Sequence, residues 1–182
     1  MNIIGFAGSN SSTSINREIV RYTLSLIGSE NIQTQLLDLN DFEMPLYSID
    51  REKQNGFPAE IDLFTSFLQQ ADGIVISLAE HNRSATVAMK NIFDWCSRKN
   101  LHFFNHTPVL LLSTSPGAFG GGNALAYGNK VIPNYHGNIV ESMSIPKFNE
   151  NFAEGQLVDN DLKQSLMQKI TLFLEYIRQD ND

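Results

Sequence analysis

The chain has 182 residues, 42% of them hydrophobic and 18% charged, with a formal net charge of −7. That size and mixture predict one soluble globular domain over residues 1–182, and the acidic balance argues against nucleic acid as a partner. No apolar run suits a membrane span and no basic-then-apolar leader opens the chain, while one cysteine, Cys96, excludes an internal disulfide, so the cytoplasm is the expected address.

The first apolar run, Ile3-Ile4-Gly5-Phe6-Ala7, has the pattern of a strand buried on both faces. It breaks into Gly8-Ser9-Asn10-Ser11-Ser12-Thr13-Ser14, after which helical spacing runs from Ile15 to Ile27. A loop of small, hydroxyl-bearing residues ending at a helix N-terminus offers backbone N–H groups and the positive end of the helix dipole, a seat for a phosphate monoester. The same residues would also serve as an ordinary helix cap. A nucleoside-triphosphate loop needs Gly-Lys-Ser/Thr, and no lysine precedes Lys53; a dinucleotide fingerprint needs three spaced glycines, and only Gly5 and Gly8 are present.

Thr34 to Leu39 predicts a second strand, and Asn40 to Pro58 a polar link long enough for a functional flap. A helix follows from Ala59 to Gln70, then a fully apolar third strand, Gly73 to Leu78. Ala79 to Thr86 reads as a loop and Val87 to Arg98 as a helix in which Phe93 and Trp95 are taken as core, or else as cover for a cofactor or second subunit. Pro108 to Ser113 predicts the fourth strand, Ser115 to Gly122 a Gly-rich loop, and Asn123 to Ile132 a helix. Asn138 to Ile145 is more polar and predicts an edge strand; a helix near Asn160 to Arg178 and a frayed acidic tail, Gln179 to Asp182, close the chain.

Five strands alternating with five helices predict an α/β fold, a doubly wound parallel sheet whose ligands sit beyond the carboxyl ends of the strands. The loops leaving strands one, three and four are the unusual ones: Ser-rich, then Glu80-His81-Asn82-Arg83-Ser84, then four glycines within the six residues Gly117 to Gly122. Glycine lets backbone approach a flat ligand closely. His102 and His106 lie in a turn with no third ligand in sequence reach, so no metal is expected, and Cys96 reads as a packed thiol. No G-x-S-x-G elbow and no acidic phospho-acceptor cluster follow the strands, which removes hydrolase and receiver-domain readings.

These three loops resemble the signatures of the NAD(P)H-dependent FMN reductases, the group of flavodoxin-like quinone and azo-dye reductases. Gly8-Ser9 with Ser14-Ile15-Asn16 is similar to their phosphate loop GS-x-R-x-x-S-x-N. Glu80-His81-Asn82 followed by Met89-Lys90-Asn91-Ile92-Phe93-Asp94-Trp95-Cys96-Ser97-Arg98 resembles PEYN…LKNAIDWxSR, and Ser115-Pro116-Gly117 with Gly120-Gly121 resembles SxGxxGG. The order and spacing agree over essentially the whole chain.

The resemblance implies a flavodoxin-like fold of five parallel strands flanked by five helices, binding FMN non-covalently, with NADPH or NADH as donor, usually as a homodimer or a homotetramer. It implies that Ser9, Ser11, Ser14, Ile15 and Asn16 hold the phosphate. Glu80, His81, Asn82 and Ser84 would edge the ribityl chain and ring, with Ser115, Gly117, Gly120 and Gly121 approaching from the other side. The activity implied is ping-pong transfer of hydride from nicotinamide through FMN to a quinone, azo compound or free flavin. No side chain is assigned as catalytic, although His81 is placed to tune the flavin or protonate an acceptor. The chain departs from the family pattern at Ser11 for its arginine, Ala79 for its proline, His81 for its tyrosine and Val87 for a glycine. Whether Arg17 replaces the missing cation is left open by the sequence. A flavodoxin-like electron carrier and an FMN-less interaction module are the other readings.

Overall fold

The computed structural model describes residues 1–180. Strand β1 (Asn2–Gly8) leads to α1 (Ile15–Ile27) and β2 (Gln33–Leu37). A 3₁₀ turn (Leu39–Phe42), α2 (Ile49–Asn55) and α3 (Ala59–Gln69) precede β3 (Gly73–Leu78). A hairpin of β4 (Glu80–His81) and β5 (Ser84–Ala85) then enters α4 (Val87–Lys99) and β6 (Pro108–Thr114). After α5 (Gly122–Val131) and a 3₁₀ turn (Ile132–Tyr135) come β7 (Asn138–Ile145), α6 (Phe148–Asn151), a hairpin of β8 (Phe152–Ala153) and β9 (Gln156–Leu157), and α7 (Asn160–Asp180).

The five long strands form one parallel sheet in the order β2-β1-β3-β6-β7. Counting only those strands the order is 2-1-3-4-5, the doubly wound arrangement that was expected. Alternate residues supply the two faces. Ile4, Phe6, Ile74, Ile76, Val109 and Leu111 pack against α3, α4 and α5, while Ile3, Val75, Leu110 and Leu112 pack against α1 and α7. Strand order reverses between β1 and β3, so the loops after those strands and after β6 open at the same end of the sheet.

The differences from the sequence reading are local. The second strand stops at Leu37, and the next residues close a 3₁₀ turn whose Asp38 carboxylate accepts from the Asn40 N–H at 3.0 Å. The link from Asn40 to Pro58 holds a short helix, capped where the Ser48 hydroxyl accepts from the Arg51 N–H at 3.2 Å. The loop from Ala79 to Thr86 carries the β4–β5 hairpin, turned by Asn82 and Arg83 at φ of 51° and 63°. With α2 and α6 there are seven α-helices among the described residues, not five. Strand β7 lies at the sheet edge, as its polarity predicted. Phe93 and Trp95 are each 1% exposed and belong to the core. Helix α7 continues through Gln179 and Asp180, so that part of the tail is helical; the rest of the frayed-tail expectation, residues 181–182, lies outside the described residues.

Candidate functional site

Three side-chain ties, made by Asn16, Thr86 and Glu80, fix the end of the sheet where the loops meet. Asn16, 2% exposed in the first turn of α1, accepts on Oδ1 from the Ser77 hydroxyl at 2.7 Å and from the Thr114 N–H at 3.0 Å. Its Nδ2 donates to the Thr114 carbonyl at 3.2 Å. Thr86 donates its hydroxyl to the Gly8 carbonyl at 2.9 Å and caps α4 by accepting from the Met89 N–H at 3.1 Å. Ser14 caps α1, its Oγ accepting from the Arg17 N–H at 3.3 Å.

Glu80 makes the third tie. Helix α5 is preceded at its cap position by Gly121, whose left-handed backbone brings no capping side chain of its own. The Glu80 carboxylate accepts there from the Asn123 N–H at 2.9 Å, the Asn123 amide at 3.0 Å and the Ala124 N–H at 3.2 Å. Desolvation pushes its carboxyl up, but those bonds and the nearby Arg83 guanidinium outweigh it and hold the group below its ordinary value. The second loop is thus clamped to the helix that follows the third.

Between these ties lies a cleft lined by Ser9, Ser11, Thr13, Ser14, Ile15 and Asn16 from the first loop, Ala79, Glu80 and His81 from the second, and Thr114, Ser115 and Pro116 from the third. Eight of the residues expected at the site therefore come together: Ser9, Ser11, Ser14, Ile15, Asn16, Glu80, His81 and Ser115. Asn82 and Ser84 are exposed on the β4–β5 hairpin and do not line it, and neither do Gly117, Gly120 and Gly121. At Gly117 a Cβ would meet only the Ser115 hydroxyl, at 3.8 Å, which leaves the position open to a ligand. Gly120 and Gly121, at φ of 58° and 76°, instead press on the ends of β7 and β6, where a Cβ would fall 2.4 Å from Ser144 Oγ and 3.2 Å from Ser113 Cβ.

His81 also lines a second, adjoining groove of about 320 Å³, within the range of small-molecule sites. Its walls are Asn10, the stretch from Leu39 to Leu46, and the start of α4 at Thr86, Val87, Ala88, Asn91 and Ile92. The link that forms the outer wall is long enough for a flap, yet α4 staples it down. Asn91 Nδ2 donates to the carbonyls of Met44 and Pro45, both at 3.2 Å, and its Oδ1 accepts from the Tyr47 N–H at 2.8 Å. The Trp95 indole donates to the Pro45 carbonyl at 2.8 Å, and Arg98 reaches Glu52 at 3.0 Å. Thr114 carries no signal in the sequence; Thr13 and Asn91 lie inside the hydroxyl-rich loop and the helix signature, neither with a role assigned from sequence.

Arg17 does not stand in for the arginine missing from the first loop: its guanidinium is paired with Asp38 at 2.6 Å. His102 and His106 are joined by His136, though among the described residues no three His, Cys, Asp or Glu groups are arranged to hold a metal ion. Burial pushes the Cys96 thiol up to about 12, so it stays protonated and unreactive.

The comparisons agree with this geometry. The profile of the NADPH-dependent FMN reductases matches residues 1–150. A quinone reductase of Escherichia coli is 26% identical over 98% of this chain and 96% of its own. The solved structure of FerB, a flavoenzyme NAD(P)H:(acceptor) oxidoreductase from Paracoccus denitrificans, superposes with a TM-score of 0.74 over 98% of this chain and 97% of that one, at 21% identity. A flavodoxin variant from Pseudomonas aeruginosa superposes with a TM-score of 0.57 at 12% identity, over 95% of this chain and 99% of that one. The fold is flavodoxin-like, and the chain belongs to the NADPH-dependent FMN reductase family, oxidoreductases that use FMN and a nicotinamide donor.

Proposed function

We propose that this family member is a single-domain oxidoreductase that takes hydride from NADPH or NADH and passes it, through non-covalently held FMN, to a quinone, an azo compound or free flavin in ping-pong order. The carrying observation is the cleft itself. A hydroxyl-rich loop at a helix N-terminus adjoins a groove of flavin-ring scale, at the switch point of a sheet whose profile match is to this family.

The residues fit the group. The Ile15 and Asn16 N–H groups at the start of α1, with the hydroxyls of Ser9, Ser11 and Ser14, would meet the phosphate. Glu80, His81, Asn82 and Ser84 would edge the ribityl chain and ring, opposite Ser115, Gly117, Gly120 and Gly121. Bound FMN supplies hydride acceptance and release. The protein's own part is placement. Asn16 and Glu80 hold the three loops in register, and Asn91 and Trp95 keep the apolar wall of Phe42, Met44 and Leu46 in place to exclude water. Donor and acceptor then use the same groove in turn. His81, which lines both clefts, is the side chain placed to hydrogen-bond either of them.

Leu46 and Val87, which line the groove, are 58% and 66% exposed, which supports a second copy of the chain closing over it in a homodimer or homotetramer. The setting proposed is the cytoplasm, with a small-molecule acceptor.

The test is titration of the flavin-free chain with FMN, followed by anaerobic mixing with NADPH and NADH in a stopped-flow spectrometer. Saturable binding and bleaching of the flavin band by a nicotinamide are expected. Binding without bleaching would make the protein an electron carrier, and no binding by a folded chain would make it an FMN-less interaction module.

A further inference from the structure

The cleft assigned to the flavin phosphate has no guanidinium or ammonium group among the residues that line it. The nearest cations in sequence are paired, Arg17 with Asp38 and Arg21 with Glu18, and Arg83, close enough to act on Glu80, does not line the cleft. The ionisable side chains that do line it are Glu80, a carboxylate, and the imidazole of His81.

The neutral donors are partly spent as well. The Ser11 N–H donates to Ser9 Oγ at 3.2 Å, the Thr13 N–H to Ser11 Oγ at 3.3 Å and the Ser14 N–H to the Ser11 carbonyl at 3.2 Å. The Ser11 and Thr13 hydroxyls share a further bond at 3.3 Å, and the Asn16 amide is consumed by Thr114. Beyond the Ile15 and Asn16 N–H groups and the Ser9 and Ser14 hydroxyls, a phosphate would therefore trade bonds the loop already has for its own, and no guanidinium lines the cleft to offer a charge-assisted bidentate partner. The rest of a flavin meets no such cost in the groove walled by Phe42, Met44, Leu46 and Ile92.

We propose that Ser11 sets flavin specificity in this chain: the site takes phosphate-free riboflavin nearly as well as FMN. This rests on the reading of the cleft as a flavin site. Ser11 is exposed, so an arginine fits there without disturbing the core and would bring a fixed cation to the cleft wall.

The experiment is titration of flavin-free protein with FMN and with riboflavin, followed by flavin fluorescence, for the unmodified chain and for Ser11→Arg. In the unmodified chain the two dissociation constants are expected to lie within about tenfold of each other, and Ser11→Arg to tighten FMN by about tenfold or more while riboflavin stays unchanged, the size of one charge-assisted contact. An FMN preference in the unmodified chain above about tenfold overturns the proposal, and so does a Ser11→Arg protein that binds FMN no better. Failure of both flavins to bind a chain with a cooperative thermal transition instead overturns the flavin-site reading beneath it.

Discussion

The side-chain amide of Asn16 is bonded at both ends to the backbone of Thr114, accepting from its N–H at 3.0 Å and donating to its carbonyl at 3.2 Å. These residues are 98 apart in sequence, and the same Oδ1 also accepts from Ser77. One buried carboxamide therefore fixes the start of α1 against the carboxyl ends of β3 and β6, so the loop that enters α1 and the loops that leave those two strands share a common point. Asn16→Ala leaves the Thr114 N–H and the Ser77 hydroxyl buried without that partner, a loss of about 3 kcal/mol. The urea midpoint should fall with little change in slope, and FMN affinity should fall with it. An unchanged midpoint would refute the role.

Glu80→Gln tests the clamp between the second loop and α5. The amide keeps one acceptor oxygen but loses the charge at the helix start, a cost of about 1 kcal/mol near neutral pH. Because the folded-state pKa of Glu80 is lowered, its contribution is present above the ordinary value of 4.5 and is lost as pH falls through the lowered one. The stability gap between the two proteins, from urea melts at a series of pH values, should therefore close on the acid side of 4.5. A gap that persists there would show that the carboxylate's charge is not what stabilises.

Much of this arrangement was legible in the sequence, for a physical reason. Runs such as Gly73–Leu78 are buried on both faces and read as strands at once, and α1 is bounded by Ser14 and Gly28, residues whose chemistry starts and ends helices. Three odd loops, after strands one, three and four, marked the site. The partners of its side chains were not legible. Nothing near Glu80 announces that its carboxylate caps a helix beginning 42 residues later at Gly122, because that bond depends on how two crossovers pack. The segment from Asn40 to Pro58 misled for a related reason. It is polar and interrupted by proline, and what orders it is a set of side chains on α4, 44 to 50 residues further along the chain.

Asn91→Ala should free that segment. It removes two donations to the Met44 and Pro45 carbonyls and one acceptance from the Tyr47 N–H, leaving the Trp95 indole bond to Pro45 as a remaining tie. A loss of about 1–3 kcal/mol is expected, together with faster limited proteolysis between residues 40 and 58. The lone tryptophan reports locally, because its indole bond and its edge contact with Tyr47 at 5.1 Å both sit on this seam. Its emission should move to longer wavelength in the variant. Proteolysis and emission identical to the parent would mean that the segment orders itself.

At the opposite end of the sheet, His136 stacks on His102 with ring centroids 3.6 Å apart and shares a 3.1 Å contact between its Nδ1 and His106 Nε2. Desolvation and then the two neighbouring imidazoles lower the His136 pKa from its ordinary 6.5. The sign follows from linkage. The unfolded chain takes up a proton at this position before the folded chain does, so acid favours unfolding. The contribution of neutral His136 is fully present above 6.5 and is lost as pH falls through the lowered folded-state value. His136→Asn is the suitable probe, since the backbone there is left-handed at φ of 61°, a region asparagine tolerates better than most residues. The parent's thermal midpoint should drop on acidification through this window, and the variant's should drop less. Equal slopes for both proteins would show that the imidazoles are in contact without being electrostatically coupled.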